Sequence, residues 1–267
     1  MGTPDERRIG CGVGVGMITV AAHAKLTVSL RVTGVRSDGY HLINAEMVTL
    51  DLADQLTIDT DGRGLSVIGR YARGVPTDDT NLVARALHLC GRNAAVQIDK
   101  HIPHGGGLGG GSADAAAVLR WSGFTDVGLA AALGADVPFC MVGGRAQVTG
   151  IGEHIVTLAH VRHTFTLIIP PLSCATSAVY AAWDDLGGPT AAGANDLERA
   201  AIVVEPLLAR WRDRIAEATG RQPTLAGSGA TWFVEGHHHG LDHALPEAHI
   251  VTTTTVDSAT ANGGTAA

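Results

Sequence analysis

Between Gly105 and Gly111 every position but Leu108 is glycine, within the segment PHGGGLGGGSA of residues 103–113. A backbone this poor in Cβ atoms cannot fill a core, but it can turn sharply and bring successive N–H groups onto one anion. The run that follows, ADAAAVLRW, is rich in strong helix formers and has a polar start at Ser112 and Asp114, so a helix is predicted there. AAVQID (Ala94 to Asp99) reads as a strand before it. The order strand, glycine loop, helix places the positive end of a helix dipole beside converging N–H groups, and phosphate is the natural guest.

Two familiar labels nearly fit. Gly105, Gly107 and Gly110 satisfy G-x-G-x-x-G, but WSGFTD (Trp121 to Asp126) is turn-like where a dinucleotide site needs a second strand ending in an acidic residue. Gly106 and Gly111 have Walker A spacing, but Ser112 stands in place of the lysine. At this level a glycine-rich packing turn without ligand stays open.

The rest of the chain narrows the choice. A formal charge of −7 over 267 residues argues against a nucleic-acid or membrane-surface partner, since both call for a basic face. Cys11, Cys90, Cys140 and Cys174 are widely spaced with no C-x-x-C pair, so buried free thiols are expected rather than zinc. His237, His238, His239 and His243 lack cysteine or paired carboxylates and read as solvated surface. No apolar run reaches the ~20 residues a membrane helix needs, and residues 1–16 lack a signal-peptide pattern, so a cytoplasmic location is expected.

Strands are predicted at Thr27 to Val32, Glu46 to Leu50, Gln55 to Ile58, Leu65 to Ile68, Thr231 to Glu235 and Ile250 to Thr254. Helices are predicted at Asn81 to Cys90, capped by Thr80, and at Ser177 to Leu186, Asp196 to Glu205 and Pro206 to Ala218. The expected organisation is a disordered extension over residues 1–16, with Met17 opening the folded unit. Two α+β domains over 17–160 and 161–250 follow, then a low-complexity tail over 251–267 that frays.

The glycine segment resembles the second motif of the GHMP kinases, and the extra glycines resemble the branch acting on 4-diphosphocytidyl-2-C-methyl-D-erythritol. Other segments resemble that branch in its own order: AHAKLTVSLRVTGVRSDGYHLINAEMVTLDLADQLTI from Ala22, DDTNLVARA from Asp78, GADVPFCMVGGRAQVTGIGE from Gly134, NDLE from Asn195 and AGSGATWF from Ala226. Together they cover about residues 18 to 235.

The resemblance implies a two-domain α+β fold with a ribosomal-protein-S5-like amino-terminal domain. It implies ATP-dependent phosphorylation of an alcohol, at the 2-hydroxyl in this branch, within isoprenoid precursor synthesis. Lys25 and Asp136 match the family's catalytic pair: Asp136 takes the acceptor hydroxyl's proton, and Lys25 steadies charge on the transferring group. Pro103, His104, Gly105, Gly106, Gly107, Leu108, Gly109, Gly110, Gly111, Ser112 and Ala113 match the ATP loop, with Mg2+ arriving on the nucleotide. Thr27, Tyr40 and His41 match the substrate side, where an aromatic ring and a hydrogen-bonding edge suit the cytosine of a cytidine-diphosphate sugar alcohol. Ser228 and Gly229 form a second glycine turn near the phosphates, and Glu153 is expected to be structural.

His23, Thr27 and Ala113 depart from the family pattern, and each is expected to touch the site. The metal ligands stay unassigned, and monomer and homodimer are both compatible with the sequence. A GHMP kinase for homoserine or a mevalonate-type alcohol, and a catalytically silent nucleotide binder on the same fold, are the alternative readings.

Overall fold

The computed structural model of the chain describes residues 16–263, so the extension expected over 1–16 lies outside it except for Gly16. Strands β1 (Met17–Val35) and β2 (His41–Asp59) make one long antiparallel hairpin. Arg36 N donates to Tyr40 O at 2.8 Å to close the turn, and Gly39 supplies the positive φ of 87°. The sequence reading broke this hairpin into shorter strands because Asp51 and Asp54 look like turn residues. In the structure both lie within β2, each held by a partner far along the chain: Lys100 for Asp54, Thr253 and Thr254 for Asp51.

β3 (Gly64–Ile68), α1 (Leu82–Leu89) and β4 (Ala95–Asp99) follow. The α1 cap is Asn81, whose side chain accepts from Val83 N at 2.8 Å; the expected cap, Thr80, turns its hydroxyl to Asp78 instead. Next come α2 (Gly110–Trp121), α3 (Val127–Ala130), α4 (Val137–Val142) and the hairpin of β5 (Arg145–Gly150) with β6 (His154–Leu158). Beyond residues 159–163 lie β7 (Thr164–Ile169), α5 (Thr176–Asp185), α6 (Glu198–Val204) and α7 (Leu207–Thr219). β8 (Thr224–Leu225), β9 (Trp232–Glu235), α8 (Leu241–Ala244), β10 (His249–Val256) and α9 (Ser258–Ala261) complete the described residues.

β2 is the spine of an α+β architecture. One edge pairs with β1; the other takes β5 along residues 43–48, β10 at Leu50 and Thr49, and β4 along residues 55–59. β10 then continues alongside β7, which pairs with β9, so one sheet runs through both parts of the chain. The strand expected at Ile250 to Thr254 is found as β10, and the fraying tail over 251–267 is corrected: the strand runs on to Val256 and 258–261 are helix. Four consecutive threonines are good strand formers once a partner strand is available.

Helix α2 lies against β1, α1 and α4. Ala113, Ala115, Ala116, Ala117, Val118 and Leu119 are all buried, because alanine lets three neighbours approach one helix closely. That burial fixes the direction in which α2 points its amino terminus.

Candidate active site

The glycine loop is built by contacts that leave no room for side chains. Lys25 N donates to Leu108 O at 3.0 Å, tying the loop to β1. Gly109 caps α2 in the left-handed region at φ 69°, and no side chain caps the helix. The first-turn N–H groups, which lack intrahelical partners, therefore stay available to a ligand. A Cβ on Gly107 would sit 2.5 Å from Ala226 O, and one on Gly229 would sit 2.5 Å from Gly107 Cα, so the two glycine turns interlock. Thr231 N donates to Gly106 O at 3.3 Å.

This loop lines a cleft of about 360 Å3 together with Pro76, Asn81, Lys100 and Asp136. Open N–H groups at a helix start inside a Cβ-free cradle fit a polyphosphate. Residues 103–112 all line the cleft. Ala113 does not: it is buried in the core against the sheet, so its missing hydroxyl takes nothing from the loop.

Lys25 is buried in the middle of β1, with Nζ 3.2 Å from Asp136 Oδ2 and donating at 3.2 Å to Thr27 Oγ1. Asp136 is the residue before α4 but makes no capping bond, which leaves its carboxylate to the lysine and the cleft. Thr27 is itself buried and holds Lys25, and it also lines a second cleft.

A second cleft of about 860 Å3 opens on the other side of Asp136. Lys25, Thr27, Tyr40, His41 and Ser228 line it, with Leu30, Ile43 and Met47 as its apolar wall. Tyr40 is 59% exposed at the hairpin tip, free to cover a ligand. His41 is tucked in, with Nε2 2.9 Å from Asp184 Oδ1 and its ring centroid 4.6 Å from that of Tyr180.

Tyr180 and Asp184 were not singled out from the sequence. Their i, i+4 spacing on α5 puts both on the face turned to the cleft. Burial, with Asp136 nearby, pushes the Tyr180 hydroxyl up to about 12, so it stays protonated. Ser228 Oγ lies 3.0 Å from Thr176 Oγ1, joining the second glycine turn to the start of α5.

Beneath the glycine loop lies a charged cluster. Lys100 Nζ bonds Asp54 Oδ2 and, at 2.8 Å, Asp114 Oδ2; Asp54 Oδ1 also accepts from His101 N at 2.5 Å and Ile102 N at 2.8 Å. Burial raises the Asp114 carboxyl to about 7 despite the ammonium.

Other residues are structural. Glu153 accepts from Ile151 N at 2.6 Å and closes the β5–β6 turn, as expected. Asn195 donates to Leu225 O at 2.9 Å and Gly227 O at 2.7 Å, pinning the second glycine turn. His23 bonds Leu50 O at 2.9 Å and lines neither cleft, so among the three departures only Thr27 reaches the site. Cys140 is buried and its thiol is pushed up to about 12, while Cys90 and Cys174 are partly buried. Among the described residues no three His, Cys, Asp or Glu side chains gather to hold a metal, and no helix is long and apolar enough to cross a membrane.

Residues 80–144, which contain the loop and Asp136, match the model of the GHMP kinases N terminal domain. The chain is 36% identical over 232 residues to the 4-diphosphocytidyl-2-C-methyl-D-erythritol kinase of Paracoccus denitrificans, covering 80% of this chain and 85% of that protein. A relative of the same name from Cereibacter sphaeroides is 37% identical over 246 residues, covering 81% of this chain and 88% of its own. The chain belongs to the 4-diphosphocytidyl-2-C-methyl-D-erythritol kinase family.

A crystal structure of a kinase in this family superposes with a TM-score of 0.70 at 30% identity, covering 89% of this chain and 99% of that one. The Methanococcus jannaschii mevalonate kinase shares the fold alone, with a TM-score of 0.55 at 11% identity. The family membership makes this chain an ATP-using phosphotransferase.

Proposed function

We propose that this chain transfers the γ-phosphoryl group of ATP to the 2-hydroxyl of 4-diphosphocytidyl-2-C-methyl-D-erythritol, in isoprenoid precursor synthesis, and that it does so in the cytoplasm without nucleic-acid or membrane partners. One observation carries the reading. The nucleotide cleft and the acceptor cleft share Gly107, Ser112 and Asp136, so a phosphoryl group in one and a hydroxyl in the other meet at a carboxylate.

Phosphoryl transfer needs alignment and charge neutralisation more than covalent chemistry. Asp136 accepts the proton of the acceptor hydroxyl as the oxygen attacks phosphorus and the bond to ADP breaks. Lys25, held by Asp136 and Thr27, faces the equatorial oxygens of the transferring group. The α2 amino terminus and the loop N–H groups hold the phosphates that leave as ADP. Mg2+ would supply further neutralisation on the nucleotide, and the Ser112 hydroxyl, which lines both clefts, would be the protein oxygen to hold it. Tyr40, His41 and Tyr180 form the aromatic pocket that takes the cytosine ring.

Asp136→Asn removes the base and keeps its shape. With ATP, Mg2+ and this acceptor, ADP release is expected to fall by about 10²–10⁴-fold with an unchanged melting temperature. Equal turnover by variant and wild type would remove Asp136 from this role. Homoserine and mevalonate in place of the acceptor are expected to give no ADP above the background rate.

A further inference from the structure

Helix α5 ends on two carboxylates, Asp184 and Asp185, with no basic residue in its last turn. Negative charge at a helix carboxyl terminus opposes the helix dipole, so helix stability does not account for Asp184. Among the described residues its one ion-pair partner is His41, whose Nε2 lies 2.9 Å from Asp184 Oδ1. The His41 ring also packs against Tyr180, with centroids 4.6 Å apart, and meets Trp183 edge to face at 5.6 Å. Its Nδ1 has no protein partner among the described residues and keeps contact with solvent. His41, Tyr180 and Asp184 all line the acceptor cleft.

A carboxylate oxygen only accepts, so the hydrogen between the two groups belongs to Nε2, and a neutral imidazole then has a bare lone pair on Nδ1. We propose that Asp184 is a positioning residue that locks His41 in the Nε2–H tautomer, so that Nδ1 accepts from the exocyclic amino group of cytosine and rejects the carbonyl that uracil carries at the same place. This rests on the reading of the cleft as the pocket for the acceptor's cytosine.

The choice of tautomer is a choice of base. Cytosine offers an amino donor where uracil offers a carbonyl acceptor. The Nδ1 lone pair gains a hydrogen bond from the first and faces another lone pair in the second. Beside an apolar wall of Leu30, Ile43 and Met47, a polar atom left unpaired by the wrong base costs more than it would at an open surface. With the hydrogen on Nδ1 instead, the preference inverts. The carboxylate on the far side of the ring therefore decides what the near side reads.

The test measures kcat and KM, with ATP and Mg2+, for the acceptor and for its uridine counterpart, on wild type and Asp184→Asn. The amide keeps the shape of the carboxylate but can either accept from Nε2–H or donate to a bare Nε2, so it no longer selects a tautomer. Wild type is expected to prefer the cytidine acceptor by about 100-fold or more in kcat/KM. Asp184→Asn is expected to lose about tenfold of that preference, through a higher KM for the cytidine acceptor and a lower one for the uridine acceptor, with kcat within about twofold. A pair that merely tied the hairpin to α5 would lower the melting temperature and leave the ratio between the bases alone. An unchanged ratio overturns the proposal.

If Asp184→Asn fails to fold, NMR of the imidazole nitrogens in wild type decides, with the His41 signals identified by their loss in His41→Gln. Hydrogen on Nε2 and none on Nδ1 is the expected pattern; hydrogen on Nδ1, alone or in an imidazolium, overturns the proposal. The two levels separate in the wild-type kinetics. A wild type that phosphorylates neither acceptor removes the reading of the cleft and the proposal together, whereas equal turnover of both removes the proposal alone.

Discussion

The stem of Lys25 passes where a Cβ on Gly109 would be, with Cγ 2.7 Å away, and Gly109 itself holds φ 69°. Gly109→Ala therefore strains the loop and shifts the lysine together. Because misplacing a reacting group by about 1 Å costs on the order of 100-fold, kcat is expected to fall by about that factor, measured with ATP and acceptor in excess. Asp114 gives a pH signature of its own. Its carboxyl is raised from 3.8 to about 7, so the folded chain holds a proton the unfolded chain has lost, and stability drains away as pH rises from about 4 to about 7. Asp114→Asn is expected to raise the melting temperature more at pH 8 than at pH 5; an equal change at both would refute that assignment. Lys25, Asp136, Tyr40 and His41 were legible because each sits in a motif of several residues in fixed order. Tyr180 and Asp184 were not, since SAVYAAWDD reads as an ordinary amphipathic helix until α5 is seen against the acceptor cleft.

At the level of elements, one side chain reinforces the backbone pairing that joins β2 to β10. Asp51 accepts from Thr254 N at 3.0 Å and Thr254 Oγ1 at 2.7 Å, and from the Thr253 hydroxyl. Burial pushes its carboxyl up, but these hydrogen bonds outweigh burial and hold it below 3.8. A depressed carboxyl contributes stability that is present above the unfolded value and is lost as pH falls through the folded one. Asp51→Ala is expected to cost about 1–3 kcal/mol in urea unfolding at pH 7, and less below about pH 4. A constant cost across that range would mean the threonines bind the protonated acid equally well. The same joint explains why the strands were hard to read. Local signals place Asp51 and Asp54 in turns, and only partners many residues away reverse those preferences. Helices α1, α5 and α7 carry their own periodicity and were found to within a few residues. The cap on α1 shifted by one position, from Thr80 to Asn81, because Asp78 claims the threonine hydroxyl first.

Across the whole molecule, the site is assembled from segments that only the fold unites: β1, the glycine loop, the residue before α4, the second glycine turn and α5. The family could be read from the order of motifs, whereas the meeting of two clefts at Asp136 could not, since distance in space is not written in spacing along a chain. Gly107 and Gly229 touch backbone to backbone, Ser228 reaches Thr176, and Thr176 begins the helix that carries Tyr180 and Asp184. A contact without side chains has no slack to absorb a shift, so fixing one turn fixes the other. The consequence is kinetic: filling the donor side should stiffen the acceptor wall before the acceptor arrives and favour an ordered sequence with nucleotide first. Amide hydrogen exchange with ATP alone is expected to slow at residues 226–231 and along α5, and exchange that slows only at residues 105–112 would show the two sides moving independently.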